Sequence, residues 1–282
     1  NRFIIATLIF VLITLILAST YLFKDKIENF INYSFNEKAL PTTIDDSGLR
    51  IHFIDVGQAD ATLIQFPTGE VMLIDCGDSI VESHSKFVSY LSSIDFAVDE
   101  STNEKIIDYL ILTHPDKDHI GGASYIFDNF KVEVCIRPDV YASNETLPFD
   151  TSLIVQSQSD TYADVISKLE VEITDSGCIS LKSVQSLELK SNGYENSLNP
   201  LDWILNFYAP ITTELPYRLN QEDNTNLAPI SNDYSPIMIL TYMDRKIMFT
   251  GDASDSVEKD FIDFYKDSGM DFDVDILKLG HH

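Results

Sequence analysis

The chain is short of cysteine, of basic residues and of histidine. Its three cysteines, Cys76, Cys135 and Cys178, stand in unrelated settings with no C-x-x-C pair. That excludes a structural zinc knuckle, and the odd count argues against a disulfide framework. Lys and Arg total 19 against 45 Asp plus Glu, a formal charge of −26. Such an excess repels a phosphate backbone and argues against general affinity for duplex nucleic acid, so a nucleic-acid substrate would need metal ions or a local basic patch. Its default use is solubility. The chain shows no repeat of fixed period and no low-complexity tract. No Ser–His or Cys–His nucleophile pair stands out, and Cys76, beside Asp75, has no recognisable His partner.

At 282 residues the chain can hold one large domain or two small ones. Phe3 to Phe23 carries no charge and is closed by Lys24-Asp25-Lys26. As a helix it would span about 31 Å, the thickness of a bilayer core. A cleaved signal peptide has a shorter apolar region and an A-x-A-like site, so residues 1–24 are expected to be an uncleaved transmembrane anchor. Residues 25–48 are polar and read as a stalk, and residues 49–282 as the folded domain.

From Leu49 the pattern changes to short apolar runs bounded by turn signals. LRIHFIDVG, ATLIQFP and VMLIDCG read as three successive strands, and Ser79–Ile94 has helical spacing. KIIDYLILT reads as a buried strand, HIGGASYIFDNF as the helix after it, and KVEVCI as a further strand, giving a β-α-β-α-β run. Residues 137–235 form a divergent acidic segment. There YADVISKLE reads as a short helix, SVQSLELK and WILNFYAP as strands, and the rest as loop. PIMILTYMDRKIMFTGD then reads as a hairpin, SDSVEKDFIDFYKDSG as a helix, and DVDILKLG as a last strand.

Two of only six histidines fall in ILTHPDKDHIGG, where His114, Asp116, Asp118 and His119 follow the end of a strand. Imidazole with carboxylate suits zinc, manganese or iron. A lone His would more often pack or cap, and Asp118 read as a helix N-cap explains one residue of the four. Gly121 and Gly122 remove side chains where backbone or substrate must come close. Asp252 follows IMFTG, His281 follows ILKLG, and Asp75 and Asp55 also stand at strand ends. Each alone would be an ordinary turn residue, but strand ends on one edge of a β-α sandwich gather into one site.

The set HFIDVGQADATLI, LIDCG, LTHPDKDHIGG, FTGDAS and LKLGHH resembles the metallo-β-lactamase fold. Within it the nearest likeness is to the soluble hydrolase-like domain of ComEC competence proteins. The resemblance runs from Leu49 to His282 and is weakest across 137–235. It implies an α/β, αββα sandwich with two divalent metal ions, Zn or Mn, at one edge. His114 and Asp116 would serve the first metal, Asp118, His119 and His281 the second, with Asp252 bridging. Asp75 would orient ligands, Asp55 and Asp60 would lie on a loop beside the metals, and Asp118 or Asp116 could shuttle the proton. Ala59 stands where this branch usually has Gly. Asp116 stands where the wider family has His, and no His lies between Gly122 and Asp252, which leaves the first metal short of ligands. The branch continues the His pair as HHGS into a further helix and strand, and His282 stands beside His281 as an alternative ligand. His52 and His84 read as residues with no role in the site.

The activity implied is metal-assisted hydrolysis, first of a phosphodiester, with small esters, lactones or lactams as an alternative substrate class. A metal-poor, membrane-tethered scaffold is a third reading. The expected placement is a single-pass membrane protein with its domain outside the cytoplasm. ComEC proteins carry many membrane spans, so any part in DNA uptake would need a separate channel protein.

Overall fold

The computed structural model describes residues 48–146, 157, 159–191, 201–211 and 231–280. Two compact units divide the chain, Asn1–Ala39 and Leu40–His282, and every described residue falls in the second. The expected anchor, nearly all of the stalk, and His281 and His282 lie outside the described residues. Among those described, no helix is long and apolar enough to cross a membrane.

The first sheet is built in the order β1 to β6: Arg50–Phe53, Thr62–Gln65, Val71–Ile74, Lys105–Ile111, Phe130–Pro138 and Ile179–Ser183. The pairs β1–β2 and β2–β3 are antiparallel, while β3–β4, β4–β5 and β5–β6 are parallel. Parallel neighbours need crossovers, which α1 (Val81–Ser92), α2 (Lys117–Ile120) with α3 (Ala123–Asn129), and α4 (Asp160–Asp175) supply. The alternation read from the sequence is therefore present. HIGGASYIFDNF is two short helices rather than one, because the chain breaks at Gly121-Gly122.

The acidic segment is more regular than its composition implies. The expected helix YADVISKLE runs on to Asp175, and β6 lies in a stretch read as loop. Glu188–Lys190 (β7) is shorter than SVQSLELK, whose first half turns through Ser186 at φ +72°. With Trp203–Phe207 (β8), the hairpin strands Met238–Tyr242 (β9) and Arg245–Phe249 (β10), and Ile276–Lys278 (β11), β7 forms a second sheet in the order β11-β10-β9-β8-β7. Only β10–β11 is parallel in it, and its crossover is α5 (Asp255–Tyr265).

Strand β4 is buried from its second residue onward, which only a strand covered on both faces requires. On one face Leu63, Leu73, Ile107 and Leu110 pack with Phe87 and Leu91 of α1, Ile126 of α3 and Tyr162 and Leu169 of α4. Each such buried side chain contributes about 1.5–3 kcal/mol. The other face meets the second sheet, where Trp203 stacks on Phe66 at 4.2 Å and meets Tyr109 edge-on at 5.4 Å. Helix α5 covers the outer side of that sheet, with Val257 against Ala209, Ile237 and Met248. The layers are helix, sheet, sheet, helix.

Candidate metal centre

The parallel strands β3 and β4 end side by side, and the chain beyond them forms the first half of the site. Asp75 follows β3 with φ +58°, a left-handed conformation that short polar side chains tolerate best. Its amide donates to Ile111 O at 2.8 Å. The carboxylate is fully buried, and Thr113 N–H and Oγ1 donate to its two oxygens at 2.9 and 2.7 Å. His119 Nδ1 meets the same carboxylate at 2.7 Å.

Asp116 stands at the N-cap of α2 but makes no side-chain cap bond, and Asp118 is the second residue inside that helix. Capping therefore accounts for neither side chain. The two glycines that follow are required by backbone rather than by substrate. A Cβ on Gly121 would stand 2.3 Å from Ser79 N, and one on Gly122 would stand 2.2 Å from Cys76 O.

The second sheet supplies Asp252, which meets the two histidines of the first. Asp252 follows β10, 3 % exposed, with its Oδ2 3.2 Å from His119 Nε2. His114, fully buried, lies with its ring centroid 4.2 Å from that of His119. One ligand atom from each of His114, His119 and Asp252 can be chosen so that all lie within 4.8 Å of one another. Asp60, Asp75 and His119 form a second, overlapping group of the same span. The donor set of imidazole and carboxylate fits a divalent cation. The Asp75–His119 contact is the carboxylate–histidine pairing that fixes a metal-binding imidazole.

Asp116 and Asp118 are in neither group. Asp116 Oδ2 lies 3.6 Å from His114 Nε2 on a side chain 40 % exposed. Its pKa is raised by burial, with Asp118 and Asp252 adding to it and Ser231 opposing. Asp118 lines a cleft of about 410 Å³ together with Gln58, Asp60, His119, Asp252 and Leu279. Asp55 points to solvent and meets Lys86 at 3.8 Å. His52 bonds Tyr90 and Gln65, and His84 packs edge-on against Tyr125, both outside the two groups.

Burial would lower the pKa of His119, but the Asp75 charge and the bonds to Asp252 and Asp75 raise it to about 11. Burial dominates at Asp75 itself and raises its pKa despite His119. His119 thus lies between two carboxylates, Asp75 at Nδ1 and Asp252 at Nε2, which favour its charged form.

Three contributors escaped the sequence reading. Thr113 and Ser235 both lie on His114 Nδ1, at 3.0 and 3.2 Å, and Ser235 Oγ also accepts the Asp252 amide at 3.1 Å. Lys278, at the end of β11, pairs with the Asp60 carboxylate. The available signal was a lone cation between two apolar residues at a strand end where the neighbouring site residues are acidic.

Residues 54–184 match the family model described as the metallo-beta-lactamase superfamily. No curated protein sequence matches the chain significantly. Similar solved structures include the metallo-beta-lactamase SMB-1 bound to 2-mercaptoethanesulfonate, with 10% identity over 82% of this chain and 76% of that one, TM-score 0.45. The metallo-beta-lactamase fold protein YhfI from Bacillus subtilis shows 15% identity over 81% and 69%, TM-score 0.42. Zn²⁺-bound PqqB from Methylobacterium extorquens shows 7% identity over 71% and 56%, TM-score 0.38.

Proposed function

We propose that the chain is a membrane-anchored, metal-dependent hydrolase acting on a phosphodiester, with His114, His119 and Asp252 at the centre of its cation site. The observation that carries this is the buried convergence of those three side chains from two sheets, with Asp75 behind His119. A divalent cation held there would supply Lewis-acid activation of water and polarisation of the scissile bond. The high share of carboxylate makes Mn²⁺ a stronger candidate than it would be for an all-histidine site.

The chain's own residues supply the remainder. Asp75 holds His119 in orientation. Asp118 and Asp60 line the cleft, where a carboxylate can take the proton of an attacking water. Asp116 stands beside His114 as an auxiliary ligand. The phosphodiester choice rests on likeness to the ComEC branch. Phe3–Phe23 supports a single-pass anchor, and the placement of the domain outside the cytoplasm rests on likeness to that same branch.

One observation favours a second reading. Asp60, Asp118 and Asp252 give the cleft an acidic wall, which suits a small neutral lactone, ester or lactam better than a polyanion. Assays of the purified chain with Mn²⁺ or Zn²⁺ on bis-p-nitrophenyl phosphate, a lactone and a lactam separate the two. The expected result is metal-stimulated turnover of the phosphodiester that falls about 100-fold or more in Asp252→Ala. Turnover of the lactone or lactam alone would select the second reading. Activity unchanged in Asp252→Ala would remove both, and no turnover of any substrate would leave a tethered scaffold.

A further inference from the structure

The buried polar groups behind the cluster can be assigned donor by donor. Asp75 Oδ1 receives the Thr113 amide at 2.9 Å, and Oδ2 receives Thr113 Oγ1 and His119 Nδ1, each at 2.7 Å. Three donors on one carboxylate are what an anionic group in a dry setting requires. The hydroxyl of Thr113 has a single proton. If that proton pointed at His114, two oxygen lone pairs would face each other at 2.7 Å behind it, so it goes to Asp75.

The consequence falls on His114. Its Nδ1 lies 3.0 Å from the same Thr113 oxygen, which has already spent its proton and can only accept. Nδ1 must therefore carry the hydrogen. Ser235 Oγ, at 3.2 Å from Nδ1, offers a second acceptor and ties it to the backbone of Asp252 through the 3.1 Å amide bond. With Nδ1 protonated, the neutral ring presents the lone pair of Nε2, the nitrogen on the Asp116 side.

We infer that Thr113 is a positioning residue that relays the Asp75 charge to His114, so that one buried carboxylate orients both imidazoles and sets the tautomer of His114. Asp75 acts on His119 directly and on His114 through the threonine hydroxyl. Thr113 is fully buried and does not line the cleft, so it acts only through the imidazole. This inference rests on the reading that His114 and His119 hold a cation, but its first test does not.

That test is ¹⁵N NMR of the histidines in the metal-free chain at about pH 9, where an ordinary imidazole is neutral. The expected spectrum has His114 protonated on Nδ1, and in Thr113→Val this preference is lost. Finding Nε2 protonated in the wild type would overturn the relay. The second test is Mn²⁺ or Zn²⁺ affinity by calorimetry, with thermal unfolding as a check on the fold. Thr113→Val should bind 10–100-fold more weakly, and Thr113→Ser, which keeps the hydroxyl, within about threefold of wild type. A valine variant that binds like wild type, or a serine variant as weak as the valine one, would contradict the relay. If the wild type binds no cation, the hydrolase reading fails while the NMR result still decides the tautomer.

Discussion

At the scale of single residues, the site turns on the His119 imidazole, held between Asp75 and Asp252. His119 holds a proton up to about pH 11 in the metal-free fold, and a cation at its Nε2 requires that proton to leave. Raising the pH therefore helps the metal and opposes the proton. Between about pH 6 and 9 this one group should raise the apparent affinity by about tenfold per pH unit. Mn²⁺ titrations across that range, followed by electron paramagnetic resonance, check it, and a flat profile would mean that His119 is not a ligand. The sign for the metal-free fold is opposite. A base whose pKa rises from 6.5 to about 11 on folding contributes its full stability below pH 6.5, and the contribution is gone above about pH 11.

At the scale of elements, the glycines after His119 decide how the loop is built. Gly121 and Gly122 close the turn between α2 and α3 against the backbone of residues 76–79, and no side chain fits. Gly122→Ala should cost about 3 kcal/mol, in the range of core overpacking. Urea denaturation measures it, and a loss below about 0.5 kcal/mol would show that the turn can shift. The same elements show what was legible in the sequence. Strands β1 to β5, the β9–β10 hairpin, α1 and α5 are apolar runs or helical patterns bounded by turn residues, and pattern alone identifies them. Strand β6 escaped because CISLKS is short, partly polar and only partly buried, lying at the sheet's edge. Helix α4 outran its expected end because its continuation, VEITD, includes β-branched residues of lower helix propensity. Tertiary contact compensates, since Glu172 accepts the Val132 amide across to β5. At the site, strand-end position pointed to His114, His119, Asp75 and Asp252. Thr113 and Ser235 were not legible, because only the fold brings their side chains to their partners, and Lys278 left only the signal of a lone cation at a strand end.

At the scale of the whole molecule, the two sheets meet at the site. Asp75, His114 and His119 come from the first, and Ser235, Asp252 and Lys278 from the second, so a bound cation would be coupled to the packing of one sheet on the other. A chain of formal charge −26 gathers further carboxylates there, and a divalent ion would relieve their repulsion. The direct test is the number of divalent ions retained per chain after incubation with Mn²⁺ or Zn²⁺ and dialysis, compared between wild type and the His119→Ala/Asp252→Ala double variant. The account predicts at least one ion per wild-type chain and none at the cluster of the variant. A wild type that retains no ion, or a variant that retains as many, would contradict it.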